Sequence, residues 1–575
     1  MNAQGNLTVK LEGRGTITLK TTDHMATGGE GTIYKVNDTV IKIYHKIDTV
    51  ARNDVEGKIA FFKQHPHPYV IAPIGGVYEG TKLIGFYMPL APGDYLTRVF
   101  TTGFRKTIGF KDADSILLTD RMRDIVLFAH SNNALLVDAN EFGYLVAPGP
   151  EPRIIDVDSW VLYGKLPATV SIMPSIHDWH VKTIGQQTDW FAYAIVTFQV
   201  YTGLHPYKGV LDGYTVRDLE LRMKDNASVF SKGIQLNMSV RDFNCIPGPL
   251  LDWYKSTFQD GTREIPPSPT ETGVAMTQTG RILHTQVTVT GNLTLEKLYE
   301  KPGEEILRVF PCGMVLTDAG TLYDLKSKRV IYKDALLDCK VIKVEGGWLV
   351  VRKAHASSTN YVYINEIDLS ASYIEGFVLQ WSQLLLYENR LFVVTIDKLI
   401  ELQLRVFNRI LLTGKPVCSI MPKSTTWFDG VGVQDALGAT YLVTPFGDDS
   451  CISVRVKELD TIKLVNAKAG EHFVTVVGLN NKGEYEKFEI IFDKTYSSYK
   501  IWSTITDSPD LNIAILPKGV CSTIVRDGEV TLFAPSQGTT KTIQDSQIRT
   551  DMLLYNWENK VLYIYKSTVW QMSLK

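Results

Sequence analysis

The sequence predicts a multidomain protein in which an α+β domain is followed by an all-β domain. Its 575 residues exceed the roughly 250–300 residues at which a single hydrophobic core stops growing. A proline-rich stretch at 265–273 divides the chain, because three prolines in four positions exclude a helix and disfavour a paired strand. Helical patterns occur before this stretch, whereas short runs rich in Val, Ile, Tyr, Phe and Thr follow it.

The composition is that of an ordinary globular protein, with 44% hydrophobic and 21% charged residues. Sixty basic and sixty-two acidic residues leave a formal charge of −2, so no global field attracts nucleic acid or an anionic membrane. No apolar run reaches the roughly 18–20 residues of a membrane helix, and the N-terminus lacks a signal-peptide pattern. We therefore expect a cytoplasmic protein with no nucleic-acid or membrane partner.

The N-terminal half divides into a short extension and a larger domain. Residues 1–22 include the alternating run Thr16–Lys20, which predicts one or two edge strands. Residues 23–264 mix strands with helical stretches, notably at 120–130 and 189–202.

The second half, residues 274–575, has a weak internal repeat. Each unit spans roughly 35–50 residues, which is long enough for about four short strands and is typical of a β-propeller blade. We expect six or seven blades, with the strand at 568–572 closing the ring against the first strands after the linker. No WD or kelch signature is present, so a pair of β-sandwiches is the alternative. The repeated units are Gly320–Leu325, Asp397–Leu402, Gly438–Val443, Gly483–Phe488, Gly528–Phe533 and Asn559–Ile564.

A glycine-rich turn and a lysine predict a phosphate-handling site. Gly28, Gly29 and Gly31 lie between two alternating strands, and a backbone without Cβ atoms can approach phosphate oxygens. Lys42 follows in the otherwise apolar run 39–44. The lysine lies either on a solvated strand face or towards the interior, where it needs an anionic partner. Glu56, in the following helical stretch, is the best-placed candidate.

These features resemble the N-lobe of the eukaryotic-type protein kinase fold, most closely a divergent bacterial and phage-type subgroup. Further segments resemble the same subgroup in the same order, and the resemblance covers roughly residues 23–225. The segments are 85–90 (last N-lobe strand and hinge), 130–138 (catalytic loop), 153–160 (metal-binding turn), 188–193 (helix that anchors the catalytic loop) and 203–207 (the turn after that helix).

The resemblance implies a role for each matching residue. Asp138 would orient the attacking hydroxyl, and Asp156 would bind the metal. Lys42 would hold the α- and β-phosphates, with Glu56 fixing the lysine. ATP and Mg²⁺ are the implied cofactors. The nucleotide-binding positions are the glycines 28, 29 and 31, the backbone of Tyr87 and Met88 for adenine, and Asn140.

Several departures from the family pattern leave two hypotheses open. The second metal ligand of the family is an asparagine five positions after Asp138, where this chain has Gly143. Asn140 or Asp158 could compensate. The first hypothesis is an active protein Ser/Thr kinase whose β-propeller recruits partners. The second is a pseudokinase or structural scaffold, in which both domains mediate assembly without catalysis. In either case the β domain would bind the protein substrate or assembly partner.

Overall fold

The computed structural model describes residues 6–162, 172–236, 239–270, 293–354, 358–374, 381–406, 410–421, 423–446, 450–493, 495–516, 521–534 and 539–574. The predicted boundary between the proline-rich stretch and the β domain, at 273–274, lies outside these residues. Within the described ranges, no helix is long and apolar enough to cross a membrane.

An antiparallel sheet of seven strands opens the chain. The N-terminal hairpin lies at one edge of the sheet, where the alternation in residues 1–22 predicts it. The β4–β5 hairpin, next to the edge strand β3, has the glycine-rich turn at the start of β4 and Lys42 in its second strand. The spatial order is β2-β1-β6-β7-β5-β4-β3, with β1 (Leu7–Leu11), β2 (Gly15–Leu19), β3 (His24–Thr27), β4 (Gly31–Val36), β5 (Thr39–Tyr44), β6 (Gly75–Glu79) and β7 (Lys82–Pro89).

Two helices, α1 (Ile47–Arg52) and α2 (Val55–Gln64), cover one face of this sheet. In α2 the residues Val55, Ile59 and Phe62 recur at helical spacing and are buried. Val55 and Ile59 join the apolar residues of β5 and β7 in one cluster. This packing fixes which residues of α2 face inward, and it therefore decides the surroundings of Lys42.

A helical half follows, centred on a helix that is buried on all sides. Every residue of α6 from Asp189 to Thr202 is buried, as expected for a helix at the centre of a core. The helical stretches predicted at 120–130 and 189–202 are confirmed. The helices are α3 (Leu96–Phe100), α4 (Thr102–Ile108), α5 (Asp112–Ser131), α6 (Gln186–Thr202), α7 (Leu219–Lys224) and α8 (Gly248–Gln259), and the short strands are β8 (Asp94–Tyr95), β9 (Ala134–Leu135), β10 (Tyr144–Ala147), β11 (Glu151–Ile154) and β12 (Val161–Leu162).

The C-terminal region is all β, and its described residues form seven antiparallel sheets of four strands each. Six sheets use strands that are consecutive in the chain. They are β14–β17 (Ile306–Val309, Met314–Thr317, Leu322–Asp324, Arg329–Tyr332), β18–β21 (Lys340–Val344, Gly347–Ala354, Ser358–Asn365, Ala371–Tyr373), β22–β25 (Gln383–Tyr387, Arg390–Val394, Lys398–Val406, Ile410–Ser419), β26–β29 (Thr425–Trp427, Gly432–Ala436, Ala439–Phe446, Ser450–Arg455), β30–β33 (Lys463–Gly470, Phe473–Leu479, Tyr485–Phe492, Tyr499–Thr506) and β34–β37 (Ile513–Ile515, Cys521–Arg526, Glu529–Ala534, Thr539–Gln544).

The seventh sheet joins the two ends of the region. Its order is β13-β40-β39-β38, with β13 (Leu293–Glu300), β38 (Leu553–Trp557), β39 (Lys560–Tyr565) and β40 (Thr568–Leu574). The pairs run from Leu293 with Leu574 to Glu300 with Thr568. The sequence predicts that the strand at 568–572 pairs with the first strands after the linker, and it pairs with β13, the first described strand there.

The weak repeat corresponds to one strand position in most of these sheets. Five of the six repeated units cover the third of the four consecutive strands in their sheet. The last unit covers β39, which lies between β40 and the edge strand β38. A turn residue followed by an alternating strand is therefore the pattern that the sequence repeats. Units of about four short strands are confirmed.

Candidate functional site

Lys42 lies in β5 and forms an ion pair with Asp158, which comes from the opposite, helical half of the region. Both side chains are largely buried, with 18% and 10% of their surface exposed. Burial lowers the pKa of Lys42, but Asp158 and Asp156 outweigh it and raise this pKa above its ordinary value. The lysine therefore keeps its positive charge between the sheet half and the helical half. We call this place, around Lys42 and Asp158, the cleft.

The prediction that Glu56 fixes Lys42 is wrong. Glu56 is exposed on α2, and Lys58 occupies the inward position of that helix with 4% of its surface exposed. The physical reason is helical phase: Lys58 is three residues after the buried Val55, whereas Glu56 is rotated about 100° away from it. The Lys58 amine donates to the backbone carbonyl of Asp158. The helix thus directs a second cation, and no acid, at the site.

The glycine-rich turn is a tight hairpin between β3 and β4. The Gly28 amide donates to the Gly31 carbonyl over 2.9 Å. A Cβ on Gly29 would meet nothing within 4 Å, whereas a Cβ on Gly31 would lie 2.7 Å from the Ile43 carbonyl oxygen. Gly28 and Gly29 consequently form an open tip of the kind that can approach a phosphate. Gly31 is required by the close packing of β4 against β5.

A buried aspartate holds the loop that contains Asp138, which we call the Asp138 loop (residues 136–143). Asp189, in the first turn of α6, accepts hydrogen bonds of 2.9 Å from the Leu136 and Val137 amides. The same carboxylate contacts His130 Nε2 at 3.0 Å. Val137 has a φ of +69°, which is strained for a β-branched residue and needs such support. Asp189 therefore positions the backbone of Asp138, as the resemblance predicts for this helix.

Asp138 is half-buried, and one carboxylate oxygen accepts a 2.9 Å hydrogen bond from the Met173 amide. Burial raises the pKa of Asp138 to about 6, against the opposing effects of the Met173 amide and Asn140. Asp156 raises this pKa further, and Lys463 of the β region lowers it. At neutral pH the carboxylate is mostly ionised, which a residue that accepts a hydroxyl proton requires.

Asn140 is used by the loop itself. It is 2% exposed, its Nδ2 donates to the Asp138 carbonyl over 3.3 Å, and its Oδ1 accepts from the Phe142 amide over 3.0 Å. Both polar atoms of the side chain thus hold the turn that follows Asp138. The structure gives Asn140 a role in loop geometry, while its predicted contact with nucleotide or metal stays a prediction.

Asp156 lies just after β11 and is close enough to Lys42 and Asp138 to raise the pKa values of both. Its side chain is exposed and forms no hydrogen bond or ion pair to the described residues. A Cβ built on Gly143 would lie 3.9 Å from the Asp156 Cβ. An asparagine at position 143, which the resembled kinase family has as its second metal ligand, would therefore lie beside Asp156. The described residues include no group of three His, Cys, Asp or Glu side chains that could hold a metal. Mg²⁺ often binds through one or two carboxylates and the phosphates of a substrate, and Asp156 fits that mode.

Tyr87 and Met88 are buried in β7, at the junction of the two halves. The Tyr87 hydroxyl donates to the Glu12 carbonyl over 2.7 Å, and the Tyr87 carbonyl accepts from the Ile74 amide over 2.8 Å. Met88 packs in the apolar cluster between sheet and helices. Both side chains stabilise the packing of the sheet. Adenine recognition by the backbone of these two residues stays a prediction.

Two functional features escaped the sequence reasoning. Lys58 could have been found from the phase of α2, because it is three residues from Val55 and four from Phe62. Glu141 had no such signal. Glu141 is 1% exposed, its Oε2 has no hydrogen-bond partner among the described residues, and burial together with the charge of Glu141 raises the pKa of Tyr485 in the β region. Burial raises the pKa of Glu141 to about 7.

A scan against protein-family models finds no match for this chain, and a search of curated proteins finds no relative.

Glu141 makes the stability of the protein depend on pH. The unfolded carboxyl loses its proton near its ordinary pKa of 4.5, whereas the folded group keeps it up to about pH 7. The wild-type free energy of unfolding should therefore fall as the pH rises from 4.5 to 7, by on the order of 3 kcal/mol from this residue. The free energy of unfolding of Glu141→Gln should fall less over the same pH range. Urea unfolding midpoints at each pH measure the difference. Glu79→Gln, at an exposed position, is the control, and parallel pH curves for wild type and Glu141→Gln would contradict the expectation.

Proposed function

We propose that this protein is an ATP-dependent, protein-kinase-like phosphotransferase that transfers the γ-phosphate to a protein hydroxyl. The observation that carries the proposal is the convergence of Lys42, Asp156 and Asp138 on one cleft from three separate elements. Lys42 pairs with Asp158, two residues after Asp156, and Asp156 affects the pKa values of both Lys42 and Asp138. Positioned phosphates, a metal and a carboxylate are the requirements of phosphoryl transfer.

Each residue would contribute one part of this chemistry. Lys42 and the open tip at Gly28 and Gly29 would bind the phosphates, and the phosphates would then compete with Asp158 for the lysine. Asp156 would bind Mg²⁺, which neutralises phosphate charge when bound. Asp138, held by Met173 and the loop, would orient the acceptor hydroxyl and take its proton.

For the C-terminal region we propose a seven-bladed β-propeller that binds protein partners. The seven four-stranded sheets and the β13–β40 pairing support a closed ring. A cavity of about 1250 Å³ supports it as well, because one edge strand of every sheet contributes to its lining: the first strand in six sheets and β38 in the seventh. Representative lining residues, one from each of these edge strands, are Arg308, Lys340, Leu385, Trp427, Ala467, Ile513 and Leu554.

Transfer should depend on Asp138. With γ-labelled ATP and Mg²⁺ or Mn²⁺, we expect wild type to label itself or an added Ser/Thr peptide. The rate of Asp138→Asn should be at least about 100-fold lower, because the proton acceptor is gone. Asp212→Asn, at an exposed position of the helical half, is the matched control. Equal labelling of wild type and Asp138→Asn would exclude this residue as the catalytic carboxylate.

Gly143→Asn should increase transfer, because it restores an amide next to Asp156. The position has no left-handed φ, and its Cβ would lie 3.2 Å from the Asn140 carbonyl oxygen and 3.9 Å from the Asp156 Cβ. We expect a lower Mg²⁺ concentration at half-maximal rate, measured by metal titration of the same assay. Gly149→Asn, in the β10–β11 turn, controls for a new asparagine elsewhere. A rate and metal dependence identical to wild type would show that the missing ligand does not limit the reaction.

A pseudokinase or scaffold is the second candidate, and Gly143 together with the two lysines at Asp158 favours it. This candidate predicts no transfer, and its N-terminal domain binds either nucleotide or nothing; nucleotide binding is tested separately. At about 100 times Kd, ATP with Mg²⁺ should stabilise the fold by about 2.7 kcal/mol, seen as a thermal shift. Lys42→Met should abolish the shift, while Lys10→Met in the exposed edge hairpin should keep it. A shift in wild type with no Asp138-dependent labelling would establish the scaffold, and no shift at millimolar nucleotide would exclude nucleotide binding from either candidate.

A further inference from the structure

The β region contacts the sheet half of the N-terminal region beside the glycine-rich turn. Asp435, in β27, accepts a 2.9 Å hydrogen bond from the amide of Thr27, the residue immediately before Gly28. Lys423 forms an ion pair with Asp23 at 2.7 Å and donates to the Lys35 carbonyl over the same distance. One sheet of the β region thus holds both strands that flank the turn.

A second sheet of the β region packs on the Asp138 loop. Phe142 of that loop and Met173, whose amide binds Asp138, join an apolar cluster with strands β30–β32. The Lys463 amine lies 5.3 Å from the centroid of the Phe142 ring. The members of the cluster from the β region are Val465, Val477, Leu479, Tyr485 and the nearby Leu511.

The contact is closest at the turn between β31 and β32. A Cβ built on Gly483 would lie 2.6 Å from both Cβ and Oγ of Ser175, so the turn approaches residue 175 as closely as only glycine allows. Ser175 is 1% exposed, and its carbonyl accepts from His205 over 2.9 Å. The segment at 172–176 is therefore enclosed between α6 and the β region.

Further contacts tie the β region to the helical half away from the cleft. Three of them are well-formed hydrogen bonds: Thr102 amide to Asp510 (3.1 Å), Arg308 to Thr107 (2.6 Å) and Ser239 amide to Thr550 (2.9 Å). Because the same region also holds Asp23 and Thr27, it spans both halves of the cleft.

We propose that the β region occupies, in cis, the surface on which a protein substrate would be presented to Asp138, and that transfer to a protein requires its displacement. This proposal rests on the proposed function. A hydroxyl must come within about 3 Å of the catalytic carboxylate, together with the peptide that carries it. Met173, whose amide binds the Asp138 carboxylate, and Phe142 of the Asp138 loop both pack against β30–β32. A folded substrate reaches them only when that sheet moves away.

The test loosens this contact in the full-length chain by Gly483→Asn. Gly483 has a φ of +76°, a conformation that asparagine tolerates, so the turn keeps its geometry while the new side chain collides with Ser175. Gly303→Asn is the matched control, since Gly303 has a φ of +85° in another turn of the β region and a Cβ there meets nothing within 4 Å.

Two measurements follow the displacement. Hydrogen exchange of the peptides at 134–144 and 172–177 should accelerate at least about tenfold in Gly483→Asn and stay at the wild-type rate in Gly303→Asn. Transfer to an added Ser/Thr peptide should rise by a similar factor, with unchanged ATP affinity. A second variant, Lys463→Glu, places an acid beside Phe142 near Glu141 and Asp138 and should act in the same direction, with the exposed Lys482→Glu as its control.

Wild-type exchange in both Gly483→Asn and Lys463→Glu would overturn the proposal. So would faster exchange without faster peptide transfer in a chain that shows Asp138-dependent self-labelling. If no variant binds nucleotide or transfers phosphate, the proposed function is refuted instead. The exchange rates then still decide whether the β region covers the Asp138 loop.

Discussion

The carboxylate of Asp189 is the interaction on which the site depends. It is buried, and two backbone amides and a histidine contact it, so its desolvation is compensated by hydrogen bonds. These bonds hold Val137 in a left-handed conformation that its branched side chain disfavours. The chain reverses there, and the reversal directs Asp138 towards the Met173 amide. Without this anchor, the backbone strain at Val137 would relax and the predicted catalytic acid would lose its position.

A second constraint is the balance of charge around Asp158. Its carboxylate binds Lys42 and its carbonyl binds Lys58, so two cations face the cleft. Burying an ammonium group without a partner is costly in free energy. Here the negative charges of Asp158 and the nearby Asp156 reduce that cost for both lysines. A bound polyphosphate would be a third source of negative charge for the same two lysines. The cleft is therefore electrostatically suited to an anionic ligand even though α2 supplies a base where an acid was predicted.

The sequence predicted what local patterns encode and missed what depends on distant packing. An alternating run identified the edge hairpin, and an otherwise apolar run identified β5. A turn residue before an alternating run identified the third strand in five of the β sheets. The partner of Lys42 could not be read in this way, because it depends on which face of α2 meets the sheet and on a turn 116 residues later in the chain. The role of Asn140 was equally hidden. Its amide closes a local turn, and a spacing motif does not distinguish that use from ligand binding.

No single sequence motif predicts where the β region lies, yet its position determines how accessible Asp138 is. Phe142 and Met173 would be exposed apolar side chains next to Asp138 if the N-terminal region stood alone, and they are covered by β30–β32. Glu141, beside them, is buried, and one of its carboxylate oxygens has no hydrogen-bond partner in the part of the chain that the structure describes. An interface that is apolar at its centre but encloses an unsatisfied acid is stabilised by hydrophobic burial and weakened by that acid's desolvation. These opposing contributions set the stability of the contact, and through it they connect the all-β half of the chain to the accessibility of Asp138.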